Sequence, residues 1–252
     1  MTTSARNGAA LFASFAYPPN ELGYCGPPDA SVLLGNAGTT DRAAEIAGHA
    51  RGFDGAWPYL DEIATAAGLD DQLDTAVVHD YWLGGPLLDR VDGDRLVGRL
   101  RTALAGQPTG LLDHPGLASW ASADHSFHVF AVYPWIRFLH RGDPTTPLRI
   151  LQSCRIRWGT VDSVDDQRAV MVSRPLVYDG RLALGDATSE SVCWNRDGTA
   201  LTSRPVPGEA VAAHWDWVCA TLGPTEVATL AAVTAKTLAL VNRLADPGRL
   251  ES

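Results

Sequence analysis

At 252 residues, with 46% hydrophobic and 19% charged residues, the chain can bury a full core and has the composition of an ordinary globular protein. A formal charge of −9 excludes the basic surface that nucleic-acid binding requires. No unbroken apolar run approaches the roughly 18 residues of a membrane span, and the N-terminus lacks a signal-peptide core, so the expectation is a cytoplasmic protein without a membrane partner.

Residues 11–17 are apolar and end at Pro18-Pro19, a pair expected to stop a helix in an extended turn. A shaped loop follows, with Gly and Pro on both sides of Cys25. Asp29 or Ser31 is placed to cap a short helix to about Ala37, and Thr39, Thr40 or Asp41 to cap the next. Pro58 opens a helix that Gly68 closes. Residues 73–91 read as two helices, or one broken at Gly84-Gly85-Pro86. Leu96, Val97, Leu100 and Leu104 mark an amphipathic helix over 94–105. Residues 106–124, rich in Gly, Pro and Ser, read as a surface connection and a subdomain boundary.

From Phe127 the composition turns to β-formers. FHVFAVYPWIRFL and LRILQSCRIRWGTVDSV read as strands, RAVMVSRPLVYDG as another, with Asp179-Gly180 as a hairpin turn. Helix is expected to resume near Gly208 with AVAAHWDWVCATLG. Pro224 then opens a long helix carrying Val227, Leu230, Val233, Leu238, Val241 and Leu244 on a face that must be buried. The fold class is therefore α+β. A mostly helical region spans 1–120 and a small antiparallel barrel or curved sheet 121–206. C-terminal helices over 207–252 pack back across both.

Three groups of residues carry candidate chemistry. Cys25 lies in a Gly-Tyr-Cys-Gly-Pro turn before a helix, where a helix N-terminus would stabilise a thiolate. His125 and His128, with Asp124 beside them, could bind one metal together if one lies in the loop before the strand, since strand positions three apart face opposite sides. Cys154 would supply a third ligand, and imidazole with thiolate suits iron or zinc. Aromatic residues including Trp120, Phe127, Phe130, Tyr133, Trp135, Phe138, Trp158 and Trp194 could line a small-molecule pocket or form core. With no C-x-x-C, the four cysteines give neither a paired zinc spacing nor a disulfide framework.

These motifs resemble known families over short stretches. Cys25-Gly26-Pro27 before a helix resembles the nucleophile segment of papain-like and bacteriocin-leader cysteine peptidases. That resemblance implies a cysteine-dependent hydrolase or acyltransferase with Cys25 as nucleophile, His128 as base and Asn20 as oxyanion donor. Asn20 stands one position from the family's usual glutamine, where this chain has Pro19. Cys154, Gly159 and Val161, followed by a turn and a second Val-rich strand, resemble the opening of the HypC-type chaperones of nickel-iron hydrogenase maturation. Here the cysteine is internal, and Trp158 stands where that family has proline. The segments FAYPPNELGYCGP, HDYWLGGPLLDRV, HVFAVYPW and CRIRWGTV resemble an uncharacterised actinobacterial family associated with hydrogenase gene neighbourhoods. The leading expectation is an accessory protein in metalloenzyme maturation. Cys154 would contact the metal or a hydrogenase large-subunit precursor, with His125 and His128 assisting.

Overall fold

The first helix, α1 (Gly8–Glu21), is buried along most of its length and is the element on which the helical half is assembled. The computed structural model describes residues 7–35, 40–139 and 142–244. Asn7 caps α1 by accepting from the Ala10 N–H at 2.8 Å, a contact of about 1 kcal/mol. Pro18 and Pro19 do not end this helix, as the sequence suggested; they lie inside its last turns. Proline cannot donate to the carbonyl four residues back, so the helix continues with the carbonyls of Ser14 and Phe15 left without their helical donors.

Around α1 pack α2 (Thr40–Ala50) and α4 (Thr75–Leu83), and α3 (Trp57–Ala67) and α5 (Gly93–Ala103) complete the layer. Most expected boundaries hold. Pro58 sits in the first turn of α3, and Gly68 closes it in the left-handed conformation. Gly84 and Gly85 break 73–91 into α4 and a 3₁₀ turn, Pro86–Arg90. The helix expected after Asp29 is a single 3₁₀ turn, Ala30–Leu33, with no side-chain cap from Asp29. Its expected end near Ala37, and Thr39, lie outside the described residues.

Two expected strands fail, one wholly and one in its first half. Residues 125–132 are helical: a short α-turn, α6 (His125–Phe127), runs into a π-helical stretch, His128–Val132. Asp124 starts it, accepting from the Phe127 N–H at 2.9 Å. A helix buried on all sides carries the same Val and Phe content as a buried strand, and the local pattern cannot separate them. A 3₁₀ turn, Pro134–Phe138, follows. LRILQSC belongs to helix α7 (Thr145–Cys154), so Cys154 ends a helix instead of sitting in a strand.

The β region is a closed barrel of β1 (Arg157–Val164), β2 (Arg168–Ser173), β5 (Thr188–Cys193), β6 (Ala210–His214) and β7 (Trp217–Leu222) in the order β1-β2-β5-β7-β6. Neighbours are antiparallel except β5 and β7, whose parallel Cys193–Trp217 pair closes the barrel. The hairpin of β3 (Leu176–Tyr178) and β4 (Leu182–Leu184) stands apart and turns at Asp179-Gly180 as expected. AVAAHWDWVCATLG is therefore the β6–β7 hairpin, not a helix, and the barrel extends past the expected boundary at 207. Its turn places Trp215 at φ 50°, costly for a large side chain. Long-range bonds hold it: Trp215 N–H donates to Ser153 O at 3.0 Å, and Arg157 Nη2 donates to Trp215 O at 2.5 Å.

The barrel interior is a small separate core of Val161, Ala169, Met171, Val192, Val211, Ala213 and Val218. Alternation along β6 sends Ala212 and His214 outward, toward the main core. The end of α1 seals the two halves. Glu21 accepts from Trp217 Nε1 at 2.5 Å and pairs with Arg196 at 3.3 Å.

The last helix, α8 (Pro224–Leu244), begins at the expected proline and buries Leu230, Leu238, Leu240 and Val241. By length and composition it could cross a membrane, although polar residues interrupt its apolar run. Here it packs on α4, α6, the π stretch, β4 and β7. The chain is thus α+β, with N-terminal helices, a small barrel and a C-terminal helix that returns across both.

His79 clamps α4 to α8. Its Nδ1 lies 3.1 Å from Asp80 and its Nε2 3.3 Å from Glu226. Those two hydrogen bonds push its pKa up to about 9 against the opposing effect of burial. A raised histidine pKa stabilises fully below about 6.5, the unfolded value, and loses that contribution as pH rises through the folded one. His79→Gln is therefore expected to lower the urea midpoint at pH 6 and to leave it nearly unchanged at pH 10. Equal loss at both pH values would show that the charge of the clamp contributes nothing.

Candidate functional site

A small cavity of about 50 Å³ lies where the helices meet the barrel mouth. Its walls include Cys25, His125, His128, Cys154 and His214, with Tyr24, Tyr81, Trp82 and Tyr133 between them. It has room for a few waters or one very small group. An outer cleft of about 260 Å³ shares Tyr24, Cys25, Gly55, His128 and Tyr133 with it, so these residues stand at the passage inward.

Helical geometry explains why both sequence-predicted histidines reach the cavity. Three positions apart on a strand they would diverge, but on a helix they share a face. Their rings stack at 26° with centroids 6.4 Å apart. The π stretch, closed by Tyr133 N–H donating to His128 O at 2.7 Å, adds the extra residue that brings Tyr133 round to the same cavity. Gly55 makes room for this: a Cβ there would fall 2.8 Å from His128 Nε2.

The Cys25 loop is held by Asn20. Asn20 Nδ2 donates to Cys25 O and Pro27 O, each at 2.8 Å, and its Oδ1 lies 3.2 Å from His49 Nε2. Gly26 follows at φ 83°, where a Cβ would meet the Phe53 ring at 2.4 Å. Both amide hydrogens of Asn20 are spent on backbone carbonyls, so it has none to offer an oxyanion. Its role is to fix the loop, a correction to the catalytic reading.

His214 was not singled out from the sequence. Its Nδ1 lies 2.7 Å from Phe15 O, the carbonyl that Pro19 leaves without a helical donor. A carbonyl only accepts, so Nδ1 carries the hydrogen, and the neutral ring keeps a lone pair on Nε2. His125 is committed at both nitrogens: Nε2 donates to Cys154 O at 2.9 Å, and Nδ1 lies 3.2 Å from the Tyr81 hydroxyl. That hydroxyl also donates to Gly55 O at 2.9 Å, so its one hydrogen serves two acceptors. His128 Nδ1 lies 3.2 Å from the Tyr59 hydroxyl.

The site is electrically neutral. Burial pushes His125 down to about 4 and, with His125 beside it, His128 down to about 3; it pushes His214 well down too. Burial, with help from Asp54, pushes the Cys25 thiol up to about 12, although the residue keeps part of its surface exposed. Burial raises Cys154 as well, with Cys25 adding to it. At neutral pH the walls carry thiols and uncharged imidazoles, not the thiolate–imidazolium pair of a cysteine nucleophile.

Among the described residues, no three His, Cys, Asp or Glu side chains are arranged to hold a metal ion. The expected set of His125, His128 and Cys154 is therefore not a preformed metal site: His125 is bound to the Cys154 carbonyl and to Tyr81. The donors that remain are the thiol of Cys154, the thiol of Cys25 beside the Gly26 N–H, and Nε2 of His214, whose ring also lies within hydrogen-bonding reach of the Cys154 backbone. Trp82, another wall residue, has a buried indole N–H with no hydrogen-bond partner among the described residues. The expected aromatic pocket is divided. Tyr133 lines the cavity, Phe127 and Phe130 are fully buried core, and Trp120 and Phe138 are exposed.

Three histidines with lowered pKa values make the protein acid-sensitive. The unfolded chain takes up protons below about 6.5, where the folded cavity does not, so stability falls as pH drops from there toward 4. The imidazole resonances of His125, His128 and His214 should stay unshifted between pH 8 and about 5.5, well above their lowered pKa values. Titration of any of them near 6.5 would mean an open, hydrated cavity.

No curated protein and no solved structure matches the chain. One family model does, over residues 4–247, described as a family of unknown function. The chain belongs to that family, DUF6390.

Proposed function

We propose that this is a cytoplasmic accessory protein of metalloenzyme maturation, serving nickel-iron hydrogenase, which carries a metal centre as cargo in the cavity at the barrel mouth. The observation that carries this reading is the meeting of Cys154 and His214 at one small, uncharged cavity. A soft thiolate and a neutral imidazole are both ligands that suit iron. The donor set is too small to hold a bare ion firmly, which suits a carried centre better than a resident one. Such a centre arrives with ligands of its own and needs only one or two from the protein. The orphaned Trp82 N–H offers a hydrogen bond to an acceptor on such a ligand.

In this reading Cys154 loses its proton on binding and becomes the anchoring thiolate, since metal ligation favours the deprotonated form that burial alone disfavours. His214 adds Nε2, aimed by its bond to Phe15 O. His125 positions Cys154 through the backbone carbonyl. Cys25 stands at the passage between the cavity and the outer cleft, where cargo or a precursor segment would enter. The closed five-stranded barrel that follows Cys154 supports the likeness to HypC-type chaperones, and the four free cysteines suit a reducing compartment.

The test is anaerobic expression with the hydrogenase operon, followed by affinity purification. Wild-type protein is expected to retain iron through gel filtration and to bring down the large-subunit precursor. Cys154→Ala should lose the iron, and His214→Gln should lower its retention by about tenfold, the cost of one ligand-shell interaction. Iron retention in Cys154→Ala equal to wild type, or no iron and no precursor with the wild type, would sink the proposal.

A further inference from the structure

On the far side of α7 a second pocket, of about 260 Å³, opens between the start of β1, the end of β2 and α8. Arg155 and Arg174 both line it, with Trp158 and Thr160, and Val172 and Val227 supply apolar wall. The net charge of the chain is −9, so two guanidinium groups facing one pocket form a local positive island.

Arg155 is only 2% exposed. Its Nε donates to Gln152 Oε1 at 2.9 Å and its Nη2 to Arg174 O at 2.6 Å, both uncharged acceptors. Arg174 likewise spends Nε and Nη2 on the carbonyls of Gly185 and Leu184, at 2.7 and 2.9 Å. Among the described residues neither forms an ion pair with a carboxylate. Glu190, whose charge reaches Arg155, is already taken by Arg157 at 3.0 Å and by the Ser173 hydroxyl. A buried guanidinium without a carboxylate in direct contact is costly. Burial and Arg157 press the Arg155 pKa down to about 9, which still leaves it charged at neutral pH.

We infer that this pocket binds a carboxylate carried on a short apolar stem, held between Arg155 and Arg174. The guanidinium is planar and matches a carboxylate in a two-bond fork, and the Nη1 groups of both arginines make no hydrogen bond within the protein among the described residues. Trp158, whose ring centre lies 5.7 Å from the Arg155 guanidinium carbon, adds an aromatic side chain to the wall beside the charge. Gly159 lets β1 and β2 close beneath the pocket: a Cβ there would come within 2.5 Å of Val172 O. The volume suits a small aryl or alkyl monocarboxylate, or the C-terminal carboxylate of a peptide with one apolar side chain.

Benzoate is the probe, read by the indole N–H resonance of Trp158, which is identified by its loss in Trp158→Phe. Benzoate is expected to shift that resonance saturably, while benzyl alcohol, of similar shape without the charge, does not. Arg174→Gln should weaken binding about tenfold or more, the worth of a charged hydrogen bond. Arg155→Gln should abolish it. Because Arg174 is exposed, its variant keeps the test valid if loss of Arg155 disturbs folding. The inference is overturned if the resonance does not move. It is equally overturned if benzyl alcohol moves it as well, if Arg174→Gln binds as wild type, or if inorganic phosphate displaces benzoate at lower concentration. None of these readouts depends on the metal-carrying cavity.

Discussion

The bond between Phe15 O and His214 Nδ1 links the two halves of the molecule at the point where the cavity lies. It exists because a proline pair sits inside a helix. Pro19 removes the N–H that would have satisfied Phe15 O, and a buried carbonyl without a donor is costly, so a donor from elsewhere has to be found. β6 supplies it from the barrel. In doing so it fixes the tautomer of His214, orients its ring and docks the barrel mouth on α1. The bond that Trp217 Nε1 donates to Glu21 repeats the docking nearer the end of the same helix.

The cavity is built by backbone acceptors more than by side-chain pairs. Phe15 O holds His214, Cys154 O holds His125, Gly55 O holds Tyr81, and Asn20 holds the Cys25 loop through two carbonyls. Polar side chains in such a site are aimed without being charged. Burial therefore leaves the imidazoles basic only in the sense of a lone pair, and the thiols protonated. That combination disfavours proton-transfer chemistry by these groups at neutral pH.

Much of the helical frame was legible from residues alone. Pro58 and Gly68 bound α3, Gly84-Gly85 breaks the next helix, and Pro224 opens α8, because these residues act through local backbone geometry. Composition misleads where side chains are uniformly buried. HVFAV has the make-up of a strand and is helix, and AVAAHWDWVCATLG has the make-up of a helix and is a hairpin. Where every face is buried the hydrophobic period disappears, and tertiary partners decide: Asp124 as a cap in one case, the bonds to Trp215 in the other. His214 escaped notice for the same reason, since nothing near it in sequence signals a site. The one clue lay two hundred residues away, in the Pro18-Pro19 pair.

The sequence by itself determined the α+β class, the prolines and glycines that punctuate the helices, and Cys25, His125, His128 and Cys154 as the residues worth following. Each of these rests on local chemistry, which travels with the residue. Only the tertiary structure decided that those four share a cavity, that His214 joins them, and that Asn20 belongs to the frame. It also decided that the thiols and imidazoles there are uncharged. Convergence and burial are properties of contacts between distant segments, and the free energy that sets a protonation state is spent at the folded site, not along the chain.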